Sequence, residues 1–336
     1  MALPSDPEAK GAVSAAARKL FSLFEPFILA LVATVLLASF APARGAWVVV
    51  ADRAADAGIF LLFFLHGAKL SREAIWSGAR NWRLHLATLA VTFALFPLLG
   101  LGFRALPFVP AVFGAGLLFL TLLPSTVQSS IAFTAIARGD VAAAVCAASF
   151  SNLLGIVLTP ALAALLMGGA TGGIGWESVQ SILLQLFLPF VAGHLLRPWI
   201  GGFVGRHKQL LSRVDRGSIL LVVYAAFGAA VVGGLWHRVP PQSLLLLALL
   251  SLVLLAIVLV ATALLGRLLG FRYEDAVVLL FCGSKKSLAS GVPMAGVLFP
   301  AAQVGSILLP VLIFHQLQLI ACALIAPRLA ARAVRA

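Results

Sequence analysis

The residues that could do chemistry sit in two short polar stretches of an otherwise apolar chain. One is Gly283-Ser284-Lys285-Lys286-Ser287-Leu288-Ala289-Ser290-Gly291. Apolar sequence leads to it from Ala276 to Phe281 and away from it from Val292 to Phe299. Two lysines therefore fall near the middle of a run long enough to cross a bilayer. A charge at that depth costs a few kcal/mol on insertion scales and persists only where it faces protein or water. Gly and Ser favour a backbone that leaves the helix. Such backbone is tolerated at membrane depth only where it lines a cavity. The other stretch is Leu123-Pro124-Ser125-Thr126-Val127-Gln128-Ser129-Ser130. Pro124 lacks an N–H and frees a carbonyl; the hydroxyl and amide side chains after it can donate and accept. Broken helices with polar residues at the break form the ion and substrate sites of transporters. The plainer alternatives are a loop between two short helices around Lys285 and Lys286, and a polar helix end capped at Ser125.

Most of the chain must serve to hold these stretches in a membrane. Of 336 residues, 62% are hydrophobic and 10% charged, against about one half and one quarter in a soluble domain. That composition predicts an all-α polytopic membrane protein. Cys146, Cys282 and Cys322 lie in apolar runs without metal-ligand spacing and read as small buried residues. Residues 1–20 read as a cytosolic tail, with no cleavable signal in evidence.

Ten apolar segments follow, near 22–42, 46–68, 83–104, 108–136, 141–168, 177–200, 216–236, 242–269, 274–299 and 303–330. With a cytosolic amino terminus, eighteen Lys and Arg fall in cytosolic stretches. Only Arg44, Arg53, Arg104 and Arg238 fall outside, and Lys285 and Lys286 lie at depth. This asymmetry fits ten crossings with both ends inside. It accounts for a formal net charge of +13 without nucleic acid. The six tryptophans (Trp47, Trp76, Trp82, Trp176, Trp199, Trp236) lie near segment ends, as an interfacial belt requires. Residues 21–170 and 171–331 each hold five segments, and an odd number per half inverts one half relative to the other. The two polar stretches then occupy equivalent positions of an inverted repeat.

At these motifs the chain resembles the bile acid:sodium symporter family, most closely the branch typified by the vertebrate solute carrier family 10 member 7 and related bacterial proteins. The resemblance covers nearly the whole chain. It is carried by Phe64-Leu65-His66-Gly67-Ala68-Lys69-Leu70-Ser71 and by Leu123 to Ser130. Ser149 to Ile156 with Thr159-Pro160, and Lys285-Lys286-Ser287-Leu288 with Gly291-Val292-Pro293-Met294, complete it. It implies ten helices in two inverted five-helix repeats. Segments 1, 2, 6 and 7 would form a panel and the rest a core, with segments 4 and 9 broken and crossing. Substrate would bind between panel and core, with ions behind the crossing. The sodium-coupled branch's Glu and Gln in the ninth segment fall on Cys282 and Lys286. Its Ser-Asn pair falls on Ser129 and Ser130, two fifth-segment hydroxyls on Ala144 and Ala148, and its third-segment Gln on Thr92. An anionic ligand is thus replaced, and a cation adjoins a sodium site.

The expectation is a secondary transporter of a small organic anion in a bacterial inner membrane, with no enzyme activity. The candidate site is Thr92, Thr126, Gln128, Ser129, Ser130, Ser149, Asn152, Ser284, Lys285, Lys286, Ser287 and His315. Any sodium would sit near Ser129, Ser130 and Ser149; Na+ or H+ are the coupling ions to consider. Three roles are open for the lysines: a fixed charge in place of sodium, a proton carrier, or a counter-charge to the substrate. Classical sodium symport, a membrane sensor without flux, and a Ser/Lys enzyme around Ser284, Lys285 and Ser287 are the competing readings. His194 and Arg197 read as interfacial anchors ending the sixth segment.

Overall fold

The computed structural model describes residues 26–69, 81–167 and 183–333. Expectations for the amino-terminal tail, for the Ser71, Trp76 and Trp176 positions and for the join between halves lie outside these residues. The described residues are helical, with no strand among them. The helices are α1 (Pro26–Phe40), α2 (Ala46–Lys69), α3 (Trp82–Arg104), α4 (Ala111–Leu122), α5 (Gln128–Ile136) and α6 (Val141–Met167). After these come α7 (Leu188–Arg206), α8 (Lys208–Val232), α9 (Pro241–Leu268), α10 (Tyr273–Gly283), α11 (Leu288–Leu298) and α12 (Ala301–Ala333). Among the described residues five helices are long and apolar enough to cross a membrane: α3, α6, α8, α9 and α12. Leu245, Leu249, Leu252, Val253, Val260 and Leu264 of α9 are exposed. Their spacing of three to four residues makes one outward apolar face, suited to lipid.

One group of helices is α1, α2, α7 and α8. α2 packs on both α7 and α8, and α1 packs on α8. α2 and α7 meet backbone to backbone. A Cβ on Gly67 would collide with the Phe190 carbonyl, and one on Gly193 with that of Phe64. Small residues permit such an approach where lipid supplies no hydrophobic drive. α7 continues to Arg206, so His194 and Arg197 lie within the helix rather than at its end.

The other helices gather around the two polar stretches. Each stretch interrupts an apolar run, between α4 and α5 and between α10 and α11. The first break follows from Pro124. The residue before a proline is driven from the α region, and Leu123 is extended with φ −70° and ψ 153°. The second break begins after Gly283. It ends at Ser287, whose Oγ accepts from the Ser290 N–H at 3.2 Å and caps α11.

α3 carries a less obvious interruption. Val91–Leu95 form a π-turn in which the Phe96 N–H reaches back to the Val91 carbonyl. In an α-helix that N–H would have served Thr92; in the π register residue 97 would serve it, and residue 97 is proline. The Thr92 carbonyl is thus left without a helical donor.

Candidate functional site

The two breaks meet, and the backbone groups they strand are satisfied partly by each other and partly by α6. The Thr121 carbonyl would take the Ser125 N–H in a continuous helix, but that N–H donates to Ser151 Oγ at 2.9 Å. Thr159 Oγ1 donates to the Leu122 carbonyl at 2.8 Å. The Ser287 N–H donates to the Pro124 carbonyl at 2.8 Å. In the reverse direction, Ser125 Oγ donates to the Cys282 carbonyl at 2.6 Å and Ser130 Oγ to the Phe281 carbonyl at 3.1 Å. Asn152 joins both breaks: its Nδ2 donates to the Ser125 carbonyl at 2.7 Å, and its Oδ1 accepts from Ser290 Oγ at 2.8 Å.

Three further carbonyls, those of Thr92, Thr121 and Leu123, converge on one side chain. Lys286 Nζ donates to all three, at 2.8, 2.8 and 2.7 Å. The Phe96 ring lies 4.1 Å from the same nitrogen. An ammonium has three donors and no acceptor, so this cage saturates the charged form. Lys286 is 1% exposed. Its backbone is clamped as well: Gln318 Oε1 accepts the Lys286 N–H at 2.8 Å, and Gln318 Nε2 donates to the Lys286 carbonyl at 2.9 Å.

Lys285 is fully buried but points elsewhere. Its Nζ donates to Ser129 Oγ at 3.3 Å and lies 4.4 Å from the Phe133 ring centre. Ser284 Oγ turns back to the Leu280 carbonyl, away from both lysines.

In front of the breaks is a cavity of about 370 Å³, within the range that holds small-molecule ligands. Its apolar wall is Phe27, Leu62, Phe63, Phe190 and Ile219, from α1, α2, α7 and α8. Its polar wall comes from the breaks and their neighbours: Thr126, Gln128, Ser129, Ser149, Asn152, Ser287, Ser290 and His315. The amino-terminal ends of α5 and α11 both reach it through Gln128 and Leu288. Helix amino termini favour negative groups. Asp215 also lines the cavity and is paired with Lys69. Arg216 lies beside it, its guanidinium 5.5 Å from the Phe27 ring centre.

Seven of the sequence-derived candidates therefore line one cavity: Thr126, Gln128, Ser129, Ser149, Asn152, Ser287 and His315. The other five, Thr92, Ser130, Ser284, Lys285 and Lys286, are buried behind it. Thr92 works through its carbonyl rather than its hydroxyl, which donates to the Thr88 carbonyl at 2.8 Å. Neither lysine lines the cavity; Lys285 reaches it only through its hydrogen bond to Ser129 Oγ. Sequence reasoning missed Lys69, Asp215 and Arg216, whose place at a cytosolic segment end hid their cavity role. It also left Gln318 out, although an amide at mid-depth needs partners. The three cysteines are buried and form no disulfide.

An all-helical fold with long apolar helices, two breaks that meet and a cavity before them is the architecture of a membrane transporter. A model of the SBF-like CPA transporter family (DUF4137) matches residues 25–331, and the chain belongs to that family. It is 56% identical over 310 residues to the Pseudomonas aeruginosa protein PA2026, covering 91% of this chain and 93% of that one. It is 53% identical over 313 residues to the Escherichia coli protein named "Putative symporter YfeH", covering 92% and 94%. The rat "Sodium/bile acid cotransporter 7" is 26% identical over 271 residues, covering 79% and 80%. The protein is an integral membrane protein of a transporter family, and the names of the Escherichia coli and rat relatives are those of transporters rather than enzymes.

Proposed function

We propose that the protein is a secondary transporter that moves a small organic anion across the bacterial inner membrane by alternating access, without the sodium sites its distant relatives' name implies. The observation that carries this reading is the Lys286 ammonium in its cage of Thr92, Thr121 and Leu123 carbonyls. A fixed cation there opposes a sodium ion within a few Å. It also supplies the positive charge that would otherwise need an ion to be recruited. At Ser129 the Lys285 ammonium, 3.3 Å away, opposes sodium in the same way. Helix amino termini and Arg216 favour an anion in the cavity, and Asp215, the one carboxylate among the described lining residues, is paired with Lys69.

In this reading the chain makes ten crossings with both termini cytosolic, as two inverted repeats over residues 21–170 and 171–331. α1, α2, α7 and α8 form the panel. The crossing and its supporting helices form the core, which moves against it. The cavity, with Lys69 and Asp215 at its edge, opens towards the cytosol. A cysteine at Lys208 is then labelled only from the cytosolic side.

The test is uptake of a pool of organic anions into liposomes bearing the purified protein, with sodium and proton gradients imposed independently. The expected result is flux that is indifferent to sodium. Flux driven by sodium alone would overturn the assignment of Lys286. Absence of flux with every anion would favour a sensor.

A further inference from the structure

Lys285 and Lys286 are neighbours in sequence, yet the consequence of losing a proton differs sharply between them. At Lys286 all three N–H groups are committed to carbonyls, which only accept. A neutral amine has two N–H groups, so deprotonation would strand one buried carbonyl and aim a lone pair at it. At Lys285 a hydroxyl chain sets the polarity. The Phe281 carbonyl must accept, so Ser130 Oγ donates to it at 3.1 Å. Ser130 then accepts from Thr126 Oγ1 at 3.1 Å, and Thr126 from Ser129 Oγ at 3.0 Å. Ser129 Oγ is left to accept from Lys285 at 3.3 Å. One N–H suffices for that bond, so a neutral Lys285 keeps every hydrogen bond that the charged form makes.

Among the described residues, the other surroundings of Lys285 hold no fixed counter-charge. They are the rings of Phe133 and Phe281 at 4.4 and 5.7 Å, the thiols of Cys282 and Cys322, and the imidazole of His315. No carboxylate is among them. Ser129, its hydrogen-bond partner, lines the cavity where the amino terminus of α5 arrives. An anion held there would be the counter-charge Lys285 lacks.

We propose that Lys285 is the proton carrier of the transport cycle, charged while the anion occupies the cavity and neutral when it leaves. This rests on the transporter reading above. As the anion enters, a proton from hydronium in the cavity solvent reaches the Nζ lone pair by way of Ser129 Oγ, which takes it up and passes on its own as its O–H swings from Thr126 to Lys285; the path reverses as anion and proton depart. One proton then accompanies each monoanion and no net charge moves, while Lys286 keeps its charge throughout.

The experiment uses the full-length protein in liposomes and a sulfonated bile acid as probe, because a sulfonate stays charged and cannot cross as a neutral acid. Exchange at equal pH is measured first, then accumulation under an inside-alkaline gradient, with internal pH followed by a trapped dye. The wild type is expected to exchange and to accumulate the probe about tenfold per pH unit, with one proton entering per anion and no response to membrane potential. Lys285→Arg, which cannot give up its proton, and Lys285→Gln are expected to lose proton-driven accumulation, whatever exchange each retains. Wild-type exchange without proton-driven accumulation would overturn the inference and leave the transporter reading standing. Accumulation by both variants at the wild-type level would do the same. Should neither variant exchange, the wild-type proton count decides. No exchange by the wild type with this probe or the wider anion pool would remove the transporter reading and this inference with it.

Discussion

The two helix breaks share a shape and differ in chemistry. The break between α4 and α5 contributes carbonyls: those of Thr121, Leu123, Pro124 and Ser125 all accept from outside their own helix. The break between α10 and α11 answers mainly with donors, the Lys286 ammonium and the Ser287 N–H. Where α10 strands carbonyls of its own, at Phe281 and Cys282, hydroxyls of the first break serve them singly. The comparison teaches that unwinding two helices at one depth is affordable only when their orphaned groups are complementary. One ammonium here covers three acceptors; each hydroxyl covers one.

That asymmetry ranks the residues. Removing Lys286 is the severest test, because it strands three buried carbonyls at about 1–3 kcal/mol each. Lys286→Ala is expected to lower exchange by at least about 100-fold, with part of the rate restored by millimolar methylammonium or sodium entering the cage. Full exchange by this variant would break the comparison. Asn152→Asp comes next. It keeps the shape but sets a carboxylate oxygen against the Ser125 carbonyl, where an N–H now donates at 2.7 Å. A loss of about 30-fold in exchange is expected, from roughly 2 kcal/mol, measured against the thermal stability of the detergent-purified protein. Gln318→Leu releases the clamp on the Lys286 backbone while leaving its ammonium in place. It is expected to cost about 10-fold, and a loss as large as that of Lys286→Ala would move the key role from the charge to the backbone. Ser130→Ala removes one donor to one carbonyl. It is expected to cost about threefold, and a larger loss would show that the hydroxyls are not merely supporting.

Much of this arrangement was legible in the sequence. Pro124 and Gly283, each flanked by Ser, marked both interruptions because proline and glycine alter the backbone by themselves. Lysines at mid-depth announced a buried site because charge there is costly. The cage around Lys286 was not legible, since its ligands are carbonyls that every residue carries. Only the coincidence of a π-turn with Pro97 frees the one at Thr92. The one polar group the Thr92 side chain offers, its hydroxyl, is occupied within its own helix. The division between Lys285 and Lys286 was equally hidden. Adjacent residues leave an unwound segment in directions that depend on its backbone, and no periodicity governs them there. Lys69 and Asp215 pair across 146 positions of chain, a distance that local pattern does not bridge.

The Lys286 cage also bears on where such a protein can operate. A diffusing ion must be present in the surroundings at a concentration comparable with its dissociation constant, and its occupancy falls when the medium is diluted. A cation bonded to the chain has an effective concentration set by its tether, and no dilution lowers it. A protein that carries its own cation in this way meets distilled water and brine with the same occupied site.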